Sequence, residues 1–168
     1  MDVKTTNPQL EADAQKYSLS TEQLQTLGVK AIQAKDNAYC PYSNFRVGCS
    51  LLTTTDKVIT GVNVENASYP NGVCAERCAL AKAVSDGERS FKALAVATDI
   101  SPPASPCGSC RQCIREFCDL SLPIFMYDVD NKYIVKTLGE PLLANSYFGL
   151  FLAATYELWT KRFEDIGK

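Results

Sequence analysis

Histidine is absent from this 168-residue chain. Its absence excludes a Ser-His-Asp triad, a Cys-His nucleophile pair and any His-ligated metal site. Acid–base work near neutral pH then falls to a carboxylate, Lys, Tyr, Cys or a metal-bound water. Concentrated positive charge is missing too. Lys and Arg number 17 against 19 Asp and Glu, for a net charge of −2, and no Lys/Arg run occurs. Such a chain is a poor binder of polyanions, which argues against a long nucleic acid as partner and leaves small ligands open. Long apolar runs are also lacking. The longest apolar region, Tyr147 to Thr155, is far shorter than the roughly 20 residues of a membrane helix, so no membrane partner is expected. Met1 to Leu10 has no apolar run that would read as a secretory signal. The expected compartment is the cytoplasm, meaning the cytosol with diffusion into the nucleus.

What is present points to one folded domain. Hydrophobic residues make up 46% and charged residues 21%, a composition that a disordered chain does not have. The eight cysteines fall well below the roughly 8–10% of a small disulfide scaffold. In a reducing cytosol, clustered cysteines suggest a metal site or catalysis.

Periodicity places the elements. Residues 1–17 are polar and read as a frayed end, so 1–19 is expected to be a flexible N-terminal segment. Ser20 with Gln23 three residues on has the form of a capping box, and Leu24, Leu27, Ala31 and Ala34 follow at helical spacing, predicting a helix over about 20–35. Phe45, Val47, Cys49 and Leu51 alternate as in a strand, with Val58 to Val64 as its hairpin partner. Cys74 to Val84 reads as a short helix, Leu94 to Thr98 as a buried strand, and Gly108 to Phe117 as another helix. Ile124 to Tyr127 and Tyr133 to Thr137 read as strands joined around Asp130-Asn131. A last helical region is predicted over about Leu150 to Phe163. The order α-ββ-α-β-α-ββ-α implies an α/β fold, with a mixed sheet and helices on its faces.

Two cysteine groups stand at predicted helix starts: Cys74-Ala75-Glu76-Arg77 and Pro106-Cys107-Gly108-Ser109-Cys110. Helix N-termini stabilise thiolates, because the backbone N–H groups donate to anionic sulfur. Thiolates from Cys74, Cys107 and Cys110 leave one position open on a tetrahedral zinc ion, the plan of a catalytic site. Arg77 is close enough in sequence to offset the excess negative charge. Glu76, on the same first turn, is the natural proton carrier where no His exists. Spacing alone leaves two other readings open. Cys78 can complete a closed four-Cys structural site, and Cys107-x-x-Cys110 can be a redox pair. Cys40, Cys49, Cys113 and Cys118 read as small buried hydrophobes.

These residues carry a family resemblance. Cys74-Ala75-Glu76-Arg77 with Pro106-Cys107-Gly108-Ser109-Cys110-Arg111-Gln112 resembles the cytidine deaminase pattern in its three-thiolate variant. Pro41-Tyr42-Ser43-Asn44-Phe45-Arg46-Val47-Gly48 is similar to the family's P-Y-S-x-F-x-V-G, and Gly61 to Pro70 to its G-x-N-x-E-N-A-S-Y segment. Leu142 to Gly149 approximates a C-terminal L-L-P-x-x-F-G-P, with Ala144 and Leu150 where the family has Pro and with an added residue around Tyr147. The resemblance covers about residues 20–150, the expected catalytic domain, with 151–168 as a helical extension. It makes the four-Cys structural reading improbable.

The resemblance implies a three-layer α/β/α fold with a five-stranded mixed sheet, and one zinc ion per chain. It implies hydrolytic deamination of cytidine and 2′-deoxycytidine by zinc-activated hydroxide in pyrimidine salvage, with Glu76 carrying the protons. It places Asn63 and Glu65 on the sugar, Phe45 against the base, and the backbone near Ala75 and Ser105 on the exocyclic groups. It makes Tyr69 and Phe148 contributions from neighbouring subunits of a homotetramer. Phe45 also reads as core, since its alternation with Val47 is that of a strand. Competing functions are a polynucleotide-editing deaminase, a non-catalytic zinc-stabilised binding module, and a deaminase of a related aminopyrimidine nucleoside drug.

Overall fold

Alternation along β3 (Phe91–Thr98) divides the core into two halves. Leu94 and Val96 face one side, and Ala93, Ala95 and Ala97 face the other. The computed structural model describes residues 8–140, and within them the sheet order is β2-β1-β3-β4-β5. β1 (Val47–Thr53) pairs antiparallel with both β2 (Val58–Val62) and β3. β3 pairs in parallel with β4 (Pro123–Tyr127), which pairs antiparallel with β5 (Tyr133–Thr137).

On the alanine side lie α1 (Pro8–Lys16) and α2 (Thr21–Ala34), where Leu24, Leu27 and Ala31 meet Leu52, Phe125 and Tyr127. The small β3 side chains let α2 lie close. α2 starts at a complete capping box between Ser20 and Gln23. On the other side α3 (Ala75–Ser85) and α4 (Gly108–Phe117) bury Ala79, Leu80, Ala83 and Ile114 against Leu51, Leu94, Ile124 and Met126. The mixed five-stranded sheet between two helical layers is therefore present. α3 presses on β2 at Gly61, where a Cβ would overlap the backbone of Ala75 and Ala79.

Four local expectations need correction. Residues 8–16 form a helix instead of a frayed end, because tertiary contacts hold α1: Ala14 is buried and the Tyr133 hydroxyl donates to Asp13 at 2.9 Å. β1 begins at Val47, so Phe45 lies in the preceding loop and not in a strand. β2 ends at Val62, and beyond it Val64 makes only isolated bridges to Tyr39 and Val73. β3 also begins earlier than expected, at Phe91. Phe148 and the predicted helix over Leu150 to Phe163 lie outside the described residues. No helix among the described residues is long and apolar enough to cross a membrane.

Candidate active site

Ligands in open α/β sheets sit beyond the carboxyl ends of the strands. β3 ends there at Thr98, and a loop containing Pro102, Pro103 and Pro106 leads to Cys107. Cys107 is the N-cap of α4 and Cys74 is the N-cap of α3, each with extended backbone and no side-chain capping bond. A serine or aspartate at an N-cap would bond the first turn; here the two sulfurs lie against each other, 3.9 Å apart.

The two helix starts bring three sulfurs together. Cys74 Sγ lies 3.9 Å from Cys107 Sγ, which lies 3.4 Å from Cys110 Sγ, and all three fall within 4.8 Å of one another. Three sulfurs at about 2.3 Å from a tetrahedral zinc stand about 3.8 Å apart, so the donor set fits that ion. Among the described residues this is the one cluster of three or more potential ligands. Cys78, one turn along α3, is not part of it.

Charge around the cluster is balanced by Arg77. Its Nη2 donates to Gly72 O at 3.1 Å and points to Cys74 Sγ at 3.9 Å. The Cys107 thiol is held far below its ordinary range, first by hydrogen bonds from the Cys110 and Cys74 thiols and then by backbone N–H groups of the α4 start. Cys110 moves the opposite way for the same reason, since the cluster shares its protons. Two buried polar atoms, Arg77 Nε and Ser105 Oγ, have no hydrogen-bond partner among the described residues. Ser105 stands two residues before Cys107, and Arg77 three after Cys74.

Glu76 is 5% exposed. Burial pushes its carboxyl up to about 7, and the negative charge of Cys107 acts in the same direction, while Arg77 opposes it. A carboxyl poised near neutrality beside a metal-ligating cluster can both take and give a proton.

Asn63 and Glu65 follow β2 and both reach the loop of residues 39–47. Asn63 Oδ1 accepts from Val47 N at 2.9 Å, and its Nδ2 donates to Phe45 O at 2.8 Å. Glu65 accepts from Tyr42 N at 3.0 Å, from Ser43 N at 3.2 Å and from the Ser43 hydroxyl. Backbone bonds from Tyr39 N to Asn63 O and from Glu65 N to Tyr39 O complete the seam. Sequence spacing put the two side chains on one side; it did not reveal that both hold this loop. Each keeps unused capacity: Asn63 a second N–H and lone pair, Glu65 further lone pairs.

Glu65 and Ser43 line a cleft of about 350 Å³ with Tyr42, Asn66, Tyr69 and Gly72. Tyr69 packs edge-on to Tyr42 with ring centroids 6.2 Å apart and is 77% exposed. Phe45 is half-buried in the loop above. Sequence reasoning missed a second tether. The buried Lys35 donates to Thr98 O and Asp99, and Arg46 forms a fork on Asp99, joining the start of β1 to the loop that leads to Cys107. Partners separated by 53 to 64 residues leave no local pattern that could have announced it.

A family model for the cytidine and deoxycytidylate deaminase zinc-binding region matches residues 21–126. A cytidine deaminase of Sporosarcina psychrophila is 48% identical over 110 residues, covering 63% of this chain and 81% of its own. One from Halalkalibacterium halodurans is 44% identical over 118 residues, covering 70% and 89%. The crystal structure of cytidine deaminase from Burkholderia pseudomallei superimposes with a TM-score of 0.67 at 40% identity, covering 73% of this chain and 98% of that one. The chain thus belongs to the cytidine and deoxycytidylate deaminase family and is a zinc-dependent enzyme of it.

Proposed function

We propose that the enzyme hydrolytically deaminates cytidine and 2′-deoxycytidine to the uracil nucleosides, in pyrimidine salvage and in the cytoplasm. The observation that carries this reading is the buried Glu76 on the first turn of α3, two residues after Cys74 of the three-thiol cluster. Cys74, Cys107 and Cys110 hold one zinc ion per chain. Bound there, zinc supplies Lewis-acid activation of the attacking water.

The chain's own groups do the rest. Glu76 accepts the water's proton and delivers it to N3 of the base, which weakens the ring's resistance to attack at C4. It then takes the proton of the new C4 hydroxyl and passes it to the amino group, so that a carbonyl forms at C4 and ammonia leaves in place of an amide anion. Arg77 donates to Cys74 and moderates the negative charge of the sulfur cluster. The backbone near Ala75 and Ser105 fixes the exocyclic groups of the base, and Phe45 packs on its face. Asn63 and Glu65 use their remaining capacity on the sugar hydroxyls. The experiment is a purified assay with cytidine that follows loss of its ultraviolet absorbance, alongside zinc analysis. Absence of ammonia release from zinc-loaded enzyme would overturn the reading.

The sugar site predicts a preference between substrates. Glu65 carries negative charge beside the cleft, and its carboxyl is held below the usual range by the Ser43 hydroxyl and by backbone N–H groups. A 5′-phosphate meets like charge there, and among the described residues no Lys or Arg lines the cleft. Competition should favour cytidine over its 5′-monophosphate by at least about tenfold in kcat/KM. Equal values would remove the sugar assignment. The net charge of −2 likewise disfavours a polynucleotide substrate.

We also infer a homotetramer with shared active sites. Tyr39, Tyr42, Val64, Tyr69 and Val73 are exposed around the cleft. A groove of about 750 Å³ between α3 and α4, lined by Val73, Leu80, Val84 and Phe117, continues from that patch. Exposed apolar side chains grouped in this way suit an interaction face. Tyr69 is assigned to a neighbour's substrate, and Phe148, outside the described residues, to a lid over a neighbour's base. Mixing a Glu76→Gln chain with a Phe148→Ala chain should restore activity in hybrid oligomers. Verified hybrids without recovery would exclude shared sites.

A further inference from the structure

We propose that Ser43 is a positioning residue for nucleoside binding: its one hydroxyl sets both the carboxylate of Glu65 and the loop segment that carries Phe45. This rests on the reading that Glu65 meets the sugar and Phe45 the base.

The hydroxyl of Ser43 donates to Glu65, and the same oxygen accepts from Phe45 N at 3.0 Å. A hydroxyl has one proton to give, so donation to the carboxylate turns its lone pairs toward the Phe45 amide. The backbone makes this possible at Asn44, which has φ of 54° and reverses the chain, returning Phe45 N to the Ser43 side chain. Asparagine is among the few residues that accept that conformation readily. Asn63 then takes the next groups along, Phe45 O and Val47 N. Three groups of the loop, Phe45 N, Phe45 O and Val47 N, are thereby fixed from residues 43 and 63, and Ser43 is the link that joins the Glu65 carboxylate to the backbone that carries Phe45. Among the groups acting on the Glu65 carboxyl, this hydroxyl has the largest effect.

A purely structural role does not account for the arrangement. Ser43 is exposed and contributes nothing to either core cluster. Substitutions at exposed sites seldom change stability much. What the hydroxyl holds is the Glu65 carboxylate, which lines the cleft with it, and the backbone amide of Phe45 next along the loop.

The test uses the full zinc-loaded chain and steady-state kinetics with cytidine. Ser43→Ala should raise KM about tenfold while kcat stays within about threefold, the signature of lost uniform binding. Zinc content and thermal midpoint should be unchanged. Ser43→Thr keeps donor and acceptor and should restore KM to within about twofold of the parent. A double-mutant cycle with Glu65→Ala gives the coupling: in that background Ser43→Ala should cost less than about twofold in kcat/KM. An unchanged KM in Ser43→Ala, no rescue by Ser43→Thr, or additive losses in the cycle would each overturn the proposal. Failure of the underlying reading looks different, because Glu65→Ala alone would then leave cytidine kinetics at the parent values, and the proposal falls with it.

Discussion

Glu76→Gln is expected to keep the fold and one zinc per chain while losing turnover by at least about 10²–10⁴-fold, the usual range for a general acid–base group. That range corresponds to about 3–5 kcal/mol of transition-state stabilisation. A larger loss is consistent, since one carboxyl is assigned several proton transfers. Gln has the size of Glu and can still hydrogen-bond, so the buried site at 5% exposure suffers no cavity. It removes a charge that is already costly there, as burial holds the carboxyl near neutrality. Stability should therefore stay level or rise slightly. The measurement is kcat for cytidine with zinc content determined on the same sample. Near-normal kcat at full zinc occupancy would rule Glu76 out as the proton carrier.

Cys107→Ala is expected to abolish both zinc retention and activity. Cys107 Sγ is the middle sulfur of the cluster, within 3.4 and 3.9 Å of its neighbours. It is also the thiol held most strongly in the anionic form, by the other two thiols and the α4 start. Metal binding requires deprotonated sulfur, and removing this one leaves two of the three thiolate donors. α4 itself should survive, because its first turn is closed by the backbone bond from Arg111 N to Cys107 O at 2.9 Å, which alanine keeps. Cys78→Ala is the control: it lies outside the cluster and should keep a full complement of zinc. Elemental analysis of purified protein distinguishes the outcomes. Full zinc in Cys107→Ala, or loss of zinc in Cys78→Ala alone, would require a different ligand set.

Cys74, Cys107 and Cys110 were legible in the sequence because their information is local. Each sits within a turn of a helix start, and helix starts are marked by short-range signals such as the Pro106 that precedes one of them. The strand pairs and the two helical layers were legible for a similar reason, since period-2 and period-3.6 patterns report which face a core lies on. β3 shows this most clearly, with alanine facing α2 and Leu94 and Val96 facing α3 and α4. Family resemblance carried the substrate assignments; no pattern in the residues alone would have supplied them.

Tertiary structure decided what depends on groups far apart in the chain. The polar segment before Ser20 has too few apolar residues to signal a buried helix, yet α1 is held by the Tyr133–Asp13 bond across 120 residues. Phe45 alternates with Val47 as a strand would, but β1 starts only at Val47, because Asn63 takes the backbone groups of Phe45 and Val47 in a side-chain imitation of strand pairing. Asn63 and Glu65 were visible as a pair suited to a sugar, but the bonds by which they clamp the loop were not, since those need Tyr42 and Ser43 brought across some 22 residues. Sequence spacing by itself determined which residue types stand at each helix start. Only the folded chain decided which hydrogen-bonding capacity each retains, because that is whatever remains after distant partners have been satisfied.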